Sequence, residues 1–234
     1  MKEAYIRFMA SVNDQTMNSL CSLVDSAITN EYERIHLMIA STGGGIHAGL
    51  DAYNLLKQSP IEIYTYNMGH VESIAVILFC IGDKRFSCEH ARFMIHEGEW
   101  CFSLIESLTA SKMEKRVEDL KTNQNTIIDI LAKTANKSNG FFEEMAKKIT
   151  YFTPQQAKDY GIVTDMVTEP FIQKGAQIFA VTDPPQLQQQ KSENKETVFS
   201  PSGLSGQCRI FYENPARKAI IGTGRDAKNG YCFY

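Results

Sequence analysis

The chain has 234 residues, 43% of them hydrophobic, enough for one main domain with an appendage. Lys and Arg number 24 against 27 Asp and Glu, a net charge of -3, which excludes an electrostatic drive toward nucleic acid or an anionic membrane and leaves a protein, peptide or small molecule as partner. The six cysteines (Cys21, Cys80, Cys88, Cys101, Cys208, Cys232) are scattered without metal-ligand spacing, and neither a signal peptide nor a run of ~18 apolar residues is present, so a soluble cytoplasmic protein with reduced thiols is expected.

In chain order, Ala4 to Ala10 reads as a strand, and Asp14 as the cap of a helix to about Thr29 with Leu20, Leu23, Val24 and Ala27 on its inner face. A strand at Ile35 to Ala40 ends in Ser41-Thr42-Gly43-Gly44-Gly45, and Ala48 to Lys57 is helical, closed before Pro60. The pattern returns with a strand at Ile61 to Asn67, a turn at Gly69 to Val71 and an apolar helix from Ser73 to Ile81. Strand-loop-helix repeats predict right-handed crossovers and a mainly parallel sheet.

Short strands follow at Arg85 to Ser87 and Arg92 to Ile95. Leu108 to Thr134 forms a charged helix much longer than the average ~11 residues, expected to project from the core or to pack on another subunit. Helices at Phe141 to Lys148 and Pro154 to Tyr160 precede Gly161 and a last strand around Ile162 to Val167. Beyond Asp183 the polar stretch PPQLQQQKSENKE predicts a linker, so the division is a domain at 1–183 and a poorly ordered extension at 184–234.

Three features carry chemistry. Gly43 to Gly45 leave backbone N–H groups uncovered where a helix begins, so the turn can receive an oxyanion; a glycine-rich turn after a strand is more often structural. Ser73 follows a sharp turn at the start of an apolar helix, which suits a nucleophile, although position alone favours a helix cap. His96, delivered by a strand, can accept a serine proton or can be a core histidine bonded to a carbonyl. His36, His47, His70 and His90 are less well placed.

The ordered set is more specific than its parts. SerThrGlyGlyGly at 41 to 45, GHVESIA at Gly69 to Ala75, RFMIHEG at Arg92 to Gly98 and TPQQAKDYGIV at Thr153 to Val163 resemble the proteolytic subunit of Clp protease, within the ClpP/crotonase fold superfamily. The resemblance spans about Tyr5 to Val167. It implies an α/β fold of repeated β-β-α units with a long handle helix, and a serine endopeptidase acting through an acyl-enzyme. Ser73 would be the nucleophile, His96 the general base, and the N–H groups of Gly44 and Ile74 the oxyanion hole. No cofactor and no metal are implied. The substrate would be a peptide or unfolded protein, and the assembly a homo-oligomer of two seven-membered rings.

The sequence departs from this pattern at three places. Counting back from Tyr160-Gly161 puts Ile149 where the family has its third acid, whose loss can cost ~10⁴ in rate. Thr150 or a backbone carbonyl could orient His96 instead, Glu144 could reach in, or the subunit could be inactive. Asp165 is expected to point away. Glu72, beside the nucleophile where a small residue is usual, is expected to face solvent. Only three residues precede Ala4, which makes docking to an unfoldase ATPase doubtful. The competing readings are a non-catalytic or weakly active ring subunit and a crotonase-like acyl-CoA enzyme.

Overall fold

A computed structural model describes residues 2–99 and 109–184, together with the backbone of 208–211 and 220–223. Strand β1 (Glu3–Met9) leads through Asn13 into helix α1 (Asp14–Thr29). The cap is Asn13 rather than Asp14: its side chain accepts from the Thr16 N–H at 3.0 Å while the Thr16 hydroxyl oxygen accepts from the Asn13 N–H at 3.1 Å. Such a reciprocal pair satisfies two helix-end donors at once. Strand β2 (Arg34–Ser41), helix α2 (Ile46–Leu56), strand β3 (Glu62–Glu72) and helix α3 (Ala75–Phe79) repeat the unit. Next come β4 (Lys84–Ser87), β5 (Arg92–Ile95), α4 (Ala110–Ala135), α5 (Asn139–Lys147), β6 (Thr150–Phe152), α6 (Pro154–Tyr160), β7 (Asp165–Met166) and β8 (Ile178–Thr182).

The sheet runs β6-β5-β3-β2-β1-β8, with β4 on β3 and β7 on β4. All pairings in it are parallel except β5 with β6. The predicted turn at Gly69 to Val71 is strand: β3 continues to Glu72 because its outer edge is shared by two partners. Tyr64 to Asn67 pair with β4, and His70 to Glu72 pair with β5. Asn67 fills the change-over, donating to the Arg92 carbonyl at 2.9 Å and accepting from the Gly69 N–H at 3.0 Å. A fully buried amide needs such partners, and these fix where β5 begins. The last predicted strand is shorter than expected, and β8 was not foreseen.

Alternation along the strands divides the core. Ile6, Phe8, Leu37 and Ile39 join the helices on one face, including α3, which is buried throughout. Tyr5, Met38, Tyr64 and Tyr66 form a second cluster on the other, with Phe171 stacked on Tyr66 at 3.9 Å between ring centroids. The long helix α4 begins with exposed turns, then buries Ile128, Ile130 and Leu131. No described helix is long and apolar enough to cross a membrane.

The chain divides into two units, Met1–Gln186 and Leu187–Tyr234. In the second, β9 (Cys208–Phe211) pairs antiparallel with β10 (Ile220–Thr223). The expected linker at 184–196 lies, apart from residue 184, outside the described residues.

Candidate active site

Ser73 stands where β3 gives way to α3, and its φ of 56° lies in the left-handed region. A non-glycine residue there is uncommon and costs on the order of 1 kcal/mol or more, so the surroundings must hold it. The Ser73 N–H donates to the Met94 carbonyl at 2.9 Å. The helix cap is Ile74, with no side-chain cap bond, so the hydroxyl of Ser73 is not used for capping. It lies 2.7 Å from His96 Nε2 instead. His96 arrives directly after β5, whose register on β3 is Glu72 opposite Met94, and this brings the two side chains together.

The glycine turn abuts the same corner. Gly43 and Gly44 have φ of 92° and 147°. A Cβ on Gly44 would sit 2.2 Å from the Val12 carbonyl oxygen, and one on Gly43 would sit 2.8 Å from both the Glu72 carbonyl and the Ser73 Cβ. Only glycine allows this approach. The turn is pinned by Val12 N–H to Gly43 O at 2.8 Å and Gly45 N–H to Val12 O at 2.7 Å. Among the described residues, neither the Gly44 nor the Ile74 N–H has an acceptor. Between Ser73, His96, Ile46 and Leu131 lies a cavity of about 20 Å³, room for about one water.

The other named groups are elsewhere. Ile149 is 56% exposed, and Thr150 donates its hydroxyl proton to the Met145 carbonyl at 2.7 Å. Glu144 faces Lys148 at 3.4 Å, and Asp165 holds Lys158 at 2.8 Å, away from the histidine as expected. Glu72 does not face solvent. It is buried and accepts from Arg92 Nε at 2.7 Å, because β5 lays Arg92 across it. Burial pushes the Cys80 thiol up to about 11, so this nearby cysteine is a poor rival nucleophile. One acid escaped the sequence reading: Glu99 Oε1 lies 3.8 Å from His96 Nδ1. It sits outside any periodic element, and its spacing of three after His96 was the only signal.

A serine on a left-handed strand-to-helix corner, hydrogen-bonded to a histidine beside free N–H donors, is the arrangement of a serine hydrolase. The profile of the Clp protease family matches residues 1–170. ATP-dependent Clp protease proteolytic subunit 2 of Corynebacterium diphtheriae is 32% identical over 173 residues, 71% of this chain and 83% of that protein. The corresponding subunit 2 of Corynebacterium glutamicum is 31% identical over 174 residues, 72% of this chain and 83% of its own length. Among solved structures, a ClpP1 mutant from Listeria monocytogenes superposes with a TM-score of 0.63 at 19% identity, covering 70% of this chain and 91% of that one. The chain belongs to the Clp protease family and is a ClpP-like serine protease.

Proposed function

We propose that Ser73 and His96 hydrolyse peptide bonds through an acyl-enzyme, with Gly44 and Ile74 as the oxyanion hole. His96 Nε2 takes the Ser73 proton as Oγ bonds the scissile carbonyl carbon. The carbonyl oxygen gains charge and is held by the two N–H groups, each such donor being worth about 3 kcal/mol in the transition state. His96 then protonates the leaving amine, and water repeats the path to release the acid. The observation that carries this reading is the 2.7 Å Ser73–His96 contact at a residue held in the left-handed region.

The test is labelling with a fluorophosphonate. Label on Ser73, lost in Ser73→Ala and His96→Ala, is the expected result. Assembled protein that takes up no label on Ser73 would refute the proposal.

The substrate is read as an unfolded polypeptide in the cytoplasm, and the active form as two stacked seven-membered rings. The exposed apolar residues Met113 (49%) and Val117 (48%) on the outer turns of α4 support packing of that helix against another copy of the chain. The catalytic unit would be 1–183, with 184–234 an extension. Crotonase-like chemistry on an acyl-CoA is less well supported, since it has no need of the Ser73–His96 pair. Peptidase activity of the purified chain would dispose of a purely architectural role.

A further inference from the structure

The side of the imidazole turned away from Ser73 has its own partner. His96 Nδ1 faces Glu99 Oε1 at 3.8 Å, beyond hydrogen-bond length but within ion-pair reach. The turn between them is clamped. The Gly98 N–H donates to Gln124 Oε1 of α4 at 2.8 Å. A Cβ on Gly98 would meet Ile46 Cδ1 at 3.0 Å and Leu120 Cδ1 at 3.1 Å, so α2 and α4 close on this point from two sides. The backbone that launches Glu99 is thereby fixed relative to the ring, although the carboxylate itself is 74% exposed. Among the described residues no other acid contacts His96: Glu144 and Asp165 hold lysines, and Glu72 holds Arg92.

We propose that Glu99 is the positioning residue of His96, replacing from the loop after β5 the acid that Ile149 cannot supply; this rests on the Ser73–His96 reading. A closing movement of under about 1 Å would bring its oxygen to the Nδ1–H. The carboxylate then holds the tautomer whose Nε2 lone pair faces the Ser73 hydroxyl, and it balances the imidazolium formed when that proton is taken. The Nδ1 proton stays on the ring throughout. Because the carboxylate is solvated, its contribution falls well short of the ~10⁴ of a buried triad acid.

The experiment uses the assembled full-length protein, a fluorogenic peptide and a fluorophosphonate. Glu99→Ala should lower kcat about 3- to 5-fold with KM unchanged, and should slow labelling of Ser73 by a similar factor. Glu99→Gln, which keeps an acceptor oxygen, should fall between the two. Sodium formate should restore part of the Glu99→Ala rate when sodium chloride at equal ionic strength does not, since a small carboxylate can enter so exposed a position. Glu97→Gln should match the wild type. Wild-type rates in Glu99→Ala overturn the proposal while leaving the Ser73 reading intact, as does a loss that formate leaves unchanged and that raises KM alongside. A wild-type protein that takes no label overturns both.

Discussion

The Ser73 N–H donates to the Met94 carbonyl of β5 at 2.9 Å, two residues ahead of His96, which directly follows that strand. Nucleophile and base are thus mounted on one hydrogen-bonded frame: β5 holds the strained corner of β3 with its backbone and delivers the histidine at its end. Relative motion of the two side chains is limited by a backbone bond rather than by side-chain packing alone. Each of the following expectations perturbs a support of this frame or of the sheet behind it.

Gly44→Ala should fold poorly. The added Cβ would lie 2.2 Å from the Val12 carbonyl oxygen at a φ of 147°, so the turn must move away from Ser73. A destabilisation of about 2–4 kcal/mol is expected, read by urea denaturation, with loss of fluorophosphonate labelling in whatever remains folded. Wild-type stability together with wild-type labelling would show that the turn is slacker than its contacts imply.

Arg92→Ala strips the buried Glu72 of its partner. The guanidinium is 61% exposed, which moderates the loss, and about 1–2 kcal/mol is expected. Glu72→Gln in the Arg92→Ala background should regain part of it, because a neutral amide is cheaper to bury unpaired. A double-mutant cycle by chemical denaturation measures the coupling, and additive effects would contradict the pairing.

His36 makes the fold sensitive to mild acid. It is buried against Tyr5 and Phe171, with Nδ1 2.8 Å from the Tyr66 hydroxyl and Nε2 3.4 Å from Glu3. Burial lowers its affinity for a proton below the ordinary value of 6.5, and the attraction of Glu3 only partly opposes this. The unfolded chain therefore binds the proton first: stability is complete above pH ~6.5 and declines as the pH falls toward the lower folded-state value. Burial would raise Glu3, but the Tyr5 hydroxyl, His36 and Arg34 together hold it below 4.5, so it titrates under this window. His36→Phe should flatten the dependence of denaturation midpoint on pH between 5 and 6.5. An unchanged slope would assign the acid sensitivity to other groups.

Much of the fold could be read along the chain. The strands β2 and β5 and the helix α6 fall close to their predicted bounds, because hydrophobic runs, Pro154 and Gly161 mark them locally. The stretch from Gly69 to Val71 did not, since glycine signals a turn and only the arrival of β5 makes it strand. Glu72 was misjudged for the same reason: the guanidinium that accompanies its burial lies 20 positions further on.

The ordered motifs pointed to Ser73, His96, Gly44 and Ile74 only through their resemblance to the Clp protease family: Ser73 by itself reads as a helix cap, and a backbone N–H donor is carried by any non-proline residue. Sequence position also exposed the aliphatic Ile149 in place of an acid. What the tertiary structure decided was the use of each group: that the Ser73 hydroxyl meets His96 rather than capping α3, that Thr150 serves the Met145 carbonyl, and that Glu99 faces the far nitrogen. These choices depend on distances set when β3, β5 and α4 pack together. Backbone register and a clamped glycine fix such distances, and neither is a property of any one segment.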